Sequence, residues 1–270
     1  QVLIRLASMS RDWRTQTSAL RALEFQETTE SPKKLSRHAR SKVWQIRLAL
    51  AEGMRGFHNK EAIPILIGLL EDDRKLIRTS AAISLRKLTG APYGPSKKNW
   101  REWWNGVQDD FTFPAFGSRR AGGMKLGKEG FKTASYYGLG FNSDRILFLI
   151  DKSESMIRYG KWSGLLEELT GFLSSSADTL HFNIVEFSDQ VDLWEDGLQP
   201  LDQRSQKDAM RFLQRTNPYG PTNLSHAIKI AFEDTDADSV VLLSDGRANR
   251  GDAQEPDEIL SELRQLNRYT

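Results

Sequence analysis

Cysteine is absent from the 270 residues, which excludes disulfides, zinc–thiolate sites and cysteine nucleophiles together. Histidine is scarce: the chain has four, His38, His58, His181 and His226. No G-x-S-x-G, H-E-x-x-H or G-x-x-x-x-G-K-[ST] occurs, so the catalysts those motifs mark have no footing and the chain reads as a non-enzyme. No apolar run approaches the roughly 20 residues of a membrane-crossing helix. Hydrophobic content of 39%, charged content of 27% and a mean hydropathy of −0.53 describe a soluble globular protein. The compartment stays open. A chain that starts at Gln1 reads as a processed form or an excised fragment, compatible with the loss of an export signal.

The formal net charge of +2 conceals an asymmetry. Residues 1–110 carry 20 Lys and Arg against 12 Asp and Glu, a net +8. Residues 111–144 add +3, and residues 145–270, with 13 against 22, carry −9. Such a split predicts two domains with different surfaces.

The acidic half is organised around Ile146-Leu-Phe-Leu-Ile-Asp151-Lys-Ser153-Glu-Ser155-Met156. Five apolar residues in a row have the composition of a strand buried on both faces. The run stops at Asp151, Ser153 and Ser155, a carboxylate and two hydroxyls at alternate positions. The carboxyl end of a buried strand is where open α/β sheets place their ligands. Oxygen donors without thiol or imidazole suit Mg²⁺, Mn²⁺ or Ca²⁺ rather than zinc. Gly220-Pro-Thr222 brings another hydroxyl from a loop that opens a helix, and Val240-Val-Leu-Leu-Ser-Asp245-Gly246 reads as a second buried strand ending in a carboxylate.

In order and spacing these three segments resemble a von Willebrand factor type A (VWA) domain with its metal-ion-dependent adhesion site (MIDAS), over roughly Tyr136 to the C-terminus. The resemblance implies a Rossmann-like, doubly wound α/β sheet and one divalent cation. It assigns direct oxygens to Ser153, Ser155 and Thr222, with Asp151 and Asp245 acting directly or through water. It also implies an open coordination position that an Asp or Glu carboxylate of a protein partner fills. The rival reading is that these five residues merely cap strand ends and a helix. Asp151 and Asp245 could also pose as a nuclease-like carboxylate pair, but neutral hydroxyls suit binding better than activation of water. His226, close to Thr222, reads as a helix residue rather than a base. A complete domain of this kind continues beyond the last helix, so the chain reads as truncated at its C-terminus.

The pattern between these segments alternates. Trp162–Leu173 is an amphipathic helix, Leu180–Phe187 and Val191–Trp194 a hairpin, Gln203–Arg215 and Leu224–Phe232 helices, and Asp257–Leu266 a last helix.

Residues 1–104 read as all-α. Gln45-Ile-Arg47-Leu-Ala-Leu-Ala51 aligns with Leu76-Ile-Arg78-Thr-Ser-Ala-Ala82 at a period of 31, and Asp12-Trp13-Arg14 begins a fainter copy. With Pro64 in an apolar helix and Asp72-Asp73 in a turn that caps the next one, the segment resembles HEAT repeats, a helical solenoid. Trp100, Trp103 and Trp104 share one helix face. They fit a capping helix, and less well a platform for a peptide or a base. Residues 105–135, with Gly117, Gly122, Gly123, Gly127 and Gly130 among Lys and Arg, read as a linker before the domain of 136–270. The expected function is cation-dependent protein binding by a scaffold. The alternatives are a basic solenoid that grips nucleic acid under VWA regulation, or an adaptor for an AAA-type ATPase that a partner would supply.

Overall fold

The computed structural model describes residues 1–114, 135–136, 139–140, 143–233, 236–246 and 248–266. It divides into two compact units, Gln1–Lys132 and Thr133–Arg268.

The first unit is helical and repeats. Helix α1 (Val2–Met9) pairs with α2 (Trp13–Ala22), a 3-10 helix (Pro32–Arg40) with α3 (Trp44–Gly53), and α4 (Ala62–Leu69) with α5 (Lys75–Thr89). The second helix of each pair starts at Trp13, Trp44 and Lys75, 31 residues apart each time. The middle helix shows why the sequence there is apolar nearly all round. Helix α3 packs against α2 on one side and α5 on the other, and Trp44, Ile46, Leu48, Ala49, Leu50 and Ala51 are all buried. Each fully buried Leu or Ile contributes roughly 1.5–3 kcal/mol. A Cβ on Gly53 would stand 2.1 Å from the Leu20 carbonyl oxygen, so α2 and α3 meet backbone to backbone there. Helix α5 ends on Gly90 in the left-handed conformation (φ 74°), the usual glycine stop.

One expected cap is different. The residue that precedes α5 is Arg74, and no side chain caps that helix. The Asp72 carboxylate accepts from the Arg74 N–H at 3.1 Å but is mainly taken by Arg47, at 2.7 and 3.0 Å. A guanidinium fork engages both carboxylate oxygens, which leaves little for a helix end.

Helix α6 (Lys97–Val107) begins at Ser96, whose hydroxyl accepts from the Asn99 N–H at 3.3 Å. Trp100 and Trp104 are buried and Trp103 half-buried. Their rings form edge-on and tilted contacts with Tyr93 and Phe111, and Phe111 in turn meets Phe113 at 5.0 Å. The aromatic face is therefore spent on packing within the unit. The helix passes the boundary read at Trp104, and its aromatic cluster extends the ordered array to Phe113. Most of the linker segment, residues 115–134, lies outside the described residues.

The second unit is α/β. A two-residue ladder joins β1 (Ser135–Tyr136) to β2 (Leu139–Gly140). The main sheet has the order β5-β4-β3-β7: β3 (Arg145–Asp151) lies parallel between β4 (His181–Phe187) and β7 (Ser239–Leu243). Strands β5 (Val191–Leu193) and β6 (Gln199–Pro200) run antiparallel to β4, so the sheet is mixed. The hairpin Ser188–Gln190 is too short for the crossover that a parallel partner needs. Helices α7 (Lys161–Ser175) and α8 (Gln203–Arg215) cover one face with Phe148, Phe182 and Ile184. Helices α9 (Leu224–Ala231) and α10 (Pro256–Leu266) cover the other with Leu147, Leu149 and Val185. This two-sided cover explains the unbroken apolar run of β3, whose residues from Ile146 onward are all buried.

Strand β7 is not buried as its apolar run predicts. Val240 is 37% and Leu242 42% exposed, and only Val241 is inside. Among the described residues β7 is the outermost strand on its side, and α9 and α10 do not reach over it.

Candidate metal centre

Strand β3 delivers Asp151 to the carboxyl edge of the sheet, where it is fully buried (0% exposed). The chain then turns at once, because the Asp151 carboxylate accepts from the Ser153 N–H at 2.8 Å. Ser153 leads into a 3-10 helix, Glu154–Gly160, that carries Ser155. The two serine hydroxyls lie 3.1 Å apart, and Ser155 donates to Asp245 at 2.7 Å. Asp245 arrives from the end of β7, beside β3 in the sheet. Four of the five expected residues thus form one hydrogen-bonded chain, Asp151–Ser153–Ser155–Asp245.

Thr222 comes from the loop between α8 and α9. Glu154 N–H donates to Gly220 carbonyl at 3.2 Å and Tyr219 N–H to Lys152 carbonyl at 2.7 Å, which fastens that loop to the serine turn. Gly220 holds φ 90°, a left-handed conformation that suits glycine. Asn249 clasps Thr222 from the far side: its side chain accepts from the Thr222 N–H at 2.8 Å, and its own N–H donates to the Thr222 carbonyl at 3.1 Å. Thr222 is buried, and its hydroxyl makes no hydrogen bond with any described residue, the other four included.

Three participants escaped the sequence reading. Ser244 donates to the second Asp151 oxygen at 2.6 Å; a hydroxyl just before Asp245 was the available signal. Asn249 carried none. Lys161, the first residue of α7, places its ammonium on Asp245. Burial opposes ionisation of Asp245, but hydrogen bonds from Lys161 and Ser155 and the nearby Lys161 charge outweigh it and hold its pKa below the ordinary value. Lys152 turns elsewhere, to Asp192 and to Glu186 at 3.6 Å.

The donor set fits a hard divalent cation. Asp151 is a buried carboxylate with two neutral donors and no ion-pair partner among the described residues, and buried charges ordinarily pair or coordinate metal. No three His, Cys, Asp or Glu side chains cluster as metal ligands among the described residues, so a site here must rest on hydroxyls. The other histidines stand apart. His38 and His58 belong to the helical unit, while His181 starts β4 and His226 lies in α9.

Among the described residues no helix is long and apolar enough to cross a membrane.

Residues 146–247 match the family model for the von Willebrand factor type A domain. The chain is 27% identical over 122 residues to mouse inter alpha-trypsin inhibitor heavy chain 4, a match over 41% of this chain and 13% of that protein. Among solved structures it is similar to a von Willebrand factor type A protein from Catenulispora acidiphila (20% identity, TM-score 0.39, 45% of this chain and 30% of the other). It is also similar to proximal thread matrix protein 1 of the mussel byssus with a zinc-occupied MIDAS motif (19% identity, TM-score 0.35, 46% and 35%). The chain therefore spans a small part of the length of these proteins. The stretch that matches the family model, residues 146–247, lies wholly within the α/β unit.

Proposed function

We propose that the α/β unit is a cation-dependent protein-binding module. Asp151, Ser153, Ser155, Thr222 and Asp245 would hold one divalent ion and present it to an Asp or Glu side chain of a protein partner. The observation that carries this reading is Asp151: wholly buried, hydrogen-bonded by Ser153 and Ser244, and without a cation among the described residues. A carboxylate in that setting is costly unless positive charge arrives. When bound, the ion would supply a Lewis-acidic position for an anionic group. The chain's own residues contribute the rest: Ser153 and Ser155 offer oxygens without charge, and Asn249 fixes the backbone of Thr222. Three neutral hydroxyls and two carboxylates leave a divalent ion able to attract a further acid. The set suits binding better than activation of water, because three of its five donors are neutral hydroxyls. The 31-residue repeat of helix pairs supports a HEAT-like scaffold for the first unit.

The test is calorimetry of the whole chain with Mg²⁺, Mn²⁺, Ca²⁺ and Zn²⁺ in turn, followed by partner capture in Mg²⁺ and in EDTA. Binding of one ion that Asp151→Asn abolishes, together with capture lost in EDTA, is the expected result. Heat-silent titrations with all four ions would sink the reading.

A further inference from the structure

We propose that Lys161 is a tethered cation of this site, whose ammonium holds Asp245 in the ion-free protein and competes with a divalent ion for the same carboxylate. The inference rests on reading Asp151 to Asp245 as a cation site.

The turn into α7 supports this role. Lys161 opens α7, with no acidic residue in the first turn of that helix. A positive charge there faces the positive end of the helix dipole, the least favourable place for it. The two residues before it, Tyr159 (φ 58°) and Gly160 (φ 70°), are both left-handed. For tyrosine that conformation is disfavoured, and its side chain is 96% exposed, so packing does not compensate. Gly160 also leaves the helix without a side-chain cap. What this turn achieves is to aim Lys161 at Asp245, across the mouth of the serine turn.

The charges of the site point the same way. Asp151 and Asp245 belong to one hydrogen-bonded chain, and Lys161 is the cation that enters it among the described residues. Lys152, the other lysine flanking the turn, is committed to Asp192 and Glu186. Asp245 divides its oxygens, one to Ser155 and one to Lys161. The Asp245 side chain is 13% exposed and that of Lys161 38%, so water screens the pair in part and their attraction is modest. A divalent ion at the serines must take Asp245 from Lys161 or share it against repulsion. In either event Lys161 lowers ion affinity and stabilises the protein without the ion.

The experiment is Mn²⁺ calorimetry on the wild-type chain, Lys161→Met and Lys161→Arg, with thermal unfolding of each in EDTA. Lys161→Met is expected to bind Mn²⁺ about tenfold more tightly and to unfold at a lower temperature in EDTA, with Lys161→Arg close to wild type in both. Equal or weaker Mn²⁺ binding by Lys161→Met, beside normal wild-type binding, overturns the role of Lys161 and spares the cation site. An unchanged unfolding temperature in EDTA also overturns it, whatever Mn²⁺ does. If neither wild type nor Lys161→Met binds Mn²⁺, the cation site itself is wrong and the inference falls with it.

Discussion

Arg21 of α2 and Glu52 of α3, 31 residues apart, form an ion pair at 2.9 Å, and Glu24 with Arg55 repeats it at 3.4 Å with the signs exchanged. The separation equals the interval between the starts of the two helices, so equivalent positions of successive helices face each other. Sequence period and spatial stacking are one fact seen twice. Gly53, beside this seam, is where the backbones touch. Gly53→Ala should force α2 and α3 apart, because a Cβ would press on the Leu20 carbonyl. The expected cost is about 1–3 kcal/mol, read as a lower urea midpoint for the helical transition.

Arg47 joins the next pair of turns. It reaches both oxygens of Asp72, Asp73 at 2.6 Å and the Ser41 carbonyl at 2.8 Å. The pair is largely buried, with side chains 12% and 5% exposed. Arg47→Met should destabilise the chain by about 3–5 kcal/mol, since it abandons a buried carboxylate. Arg47→Met with Asp72→Asn should recover part of the loss. A double variant no more stable than the single one would show that the pair is not what matters.

His38 carries a pH prediction. Burial, and then the charge of Arg37, push its pKa below 6.5, against an opposing hydrogen bond that the ring donates to the Ala7 carbonyl. The unfolded chain therefore takes up the proton first. Stability should be full above pH 7 and should fall as pH drops through 6.5 towards the folded value. Its Nε2 has no hydrogen-bond partner among the described residues, so nothing there holds a second ring proton. His38→Gln should flatten this limb in urea titrations between pH 7 and 5. An equally steep limb in the variant would assign the effect to other groups.

How much of this was readable depended on whether the signal was local. Strand β3 was, since five apolar residues followed by Asp151 can hardly be anything but a buried strand end. Helix α8 runs from Gln203 to Arg215 as expected, because Asp202 and Ser205 close a capping box at its start and its apolar residues keep a helical period. The 3-10 helix Pro32–Arg40 falls in the stretch read as helical, but no residue marked it as the first member of a pair; it buries only Pro32, Leu35 and His38. The exposure of Val240 and Leu242 was invisible because composition reports what a strand can bury, not what covers it. Lys161 and Asn249 meet the site across 84 and 27 residues, a distance over which a single sequence carries no pairing signal.

Asn249 makes the candidate centre testable without touching an expected ligand. It holds Thr222 by two hydrogen bonds, and one such bond contributes about 0.5–1.5 kcal/mol. Asn249→Ala should loosen the loop and weaken Mn²⁺ binding by several-fold, less than Thr222→Ala does. The Asn249→Ala, Thr222→Ala double variant should bind no worse than Thr222→Ala alone, because Asn249 acts through Thr222. Calorimetry showing additive losses would break that chain of action.

Glu186 gives the last prediction, with the sign opposite to the usual carboxylate. It is the penultimate residue of β4, opposite Ile150 of β3, and is 1% exposed. The Thr216 hydroxyl reaches its two oxygens at 2.7 and 2.8 Å, and Lys152 stands 3.6 Å away. Burial raises its pKa above the ordinary value and outweighs the help of Thr216 and Lys152. The folded protein therefore holds the Glu186 proton to higher pH than the unfolded chain does. Below the unfolded value of about 4.5 both states are protonated and ionisation costs nothing. As pH rises through that value and on past the folded one, stability is lost. Glu186→Gln keeps an acceptor for Thr216 and removes the charge, and Lys152 retains Asp192. The variant should unfold a few degrees above wild type at pH 8 and level with it at pH 4. A variant less stable than wild type at pH 8 would mean that the Lys152 pairing outweighs the cost of burial, and the direction argued here would be wrong.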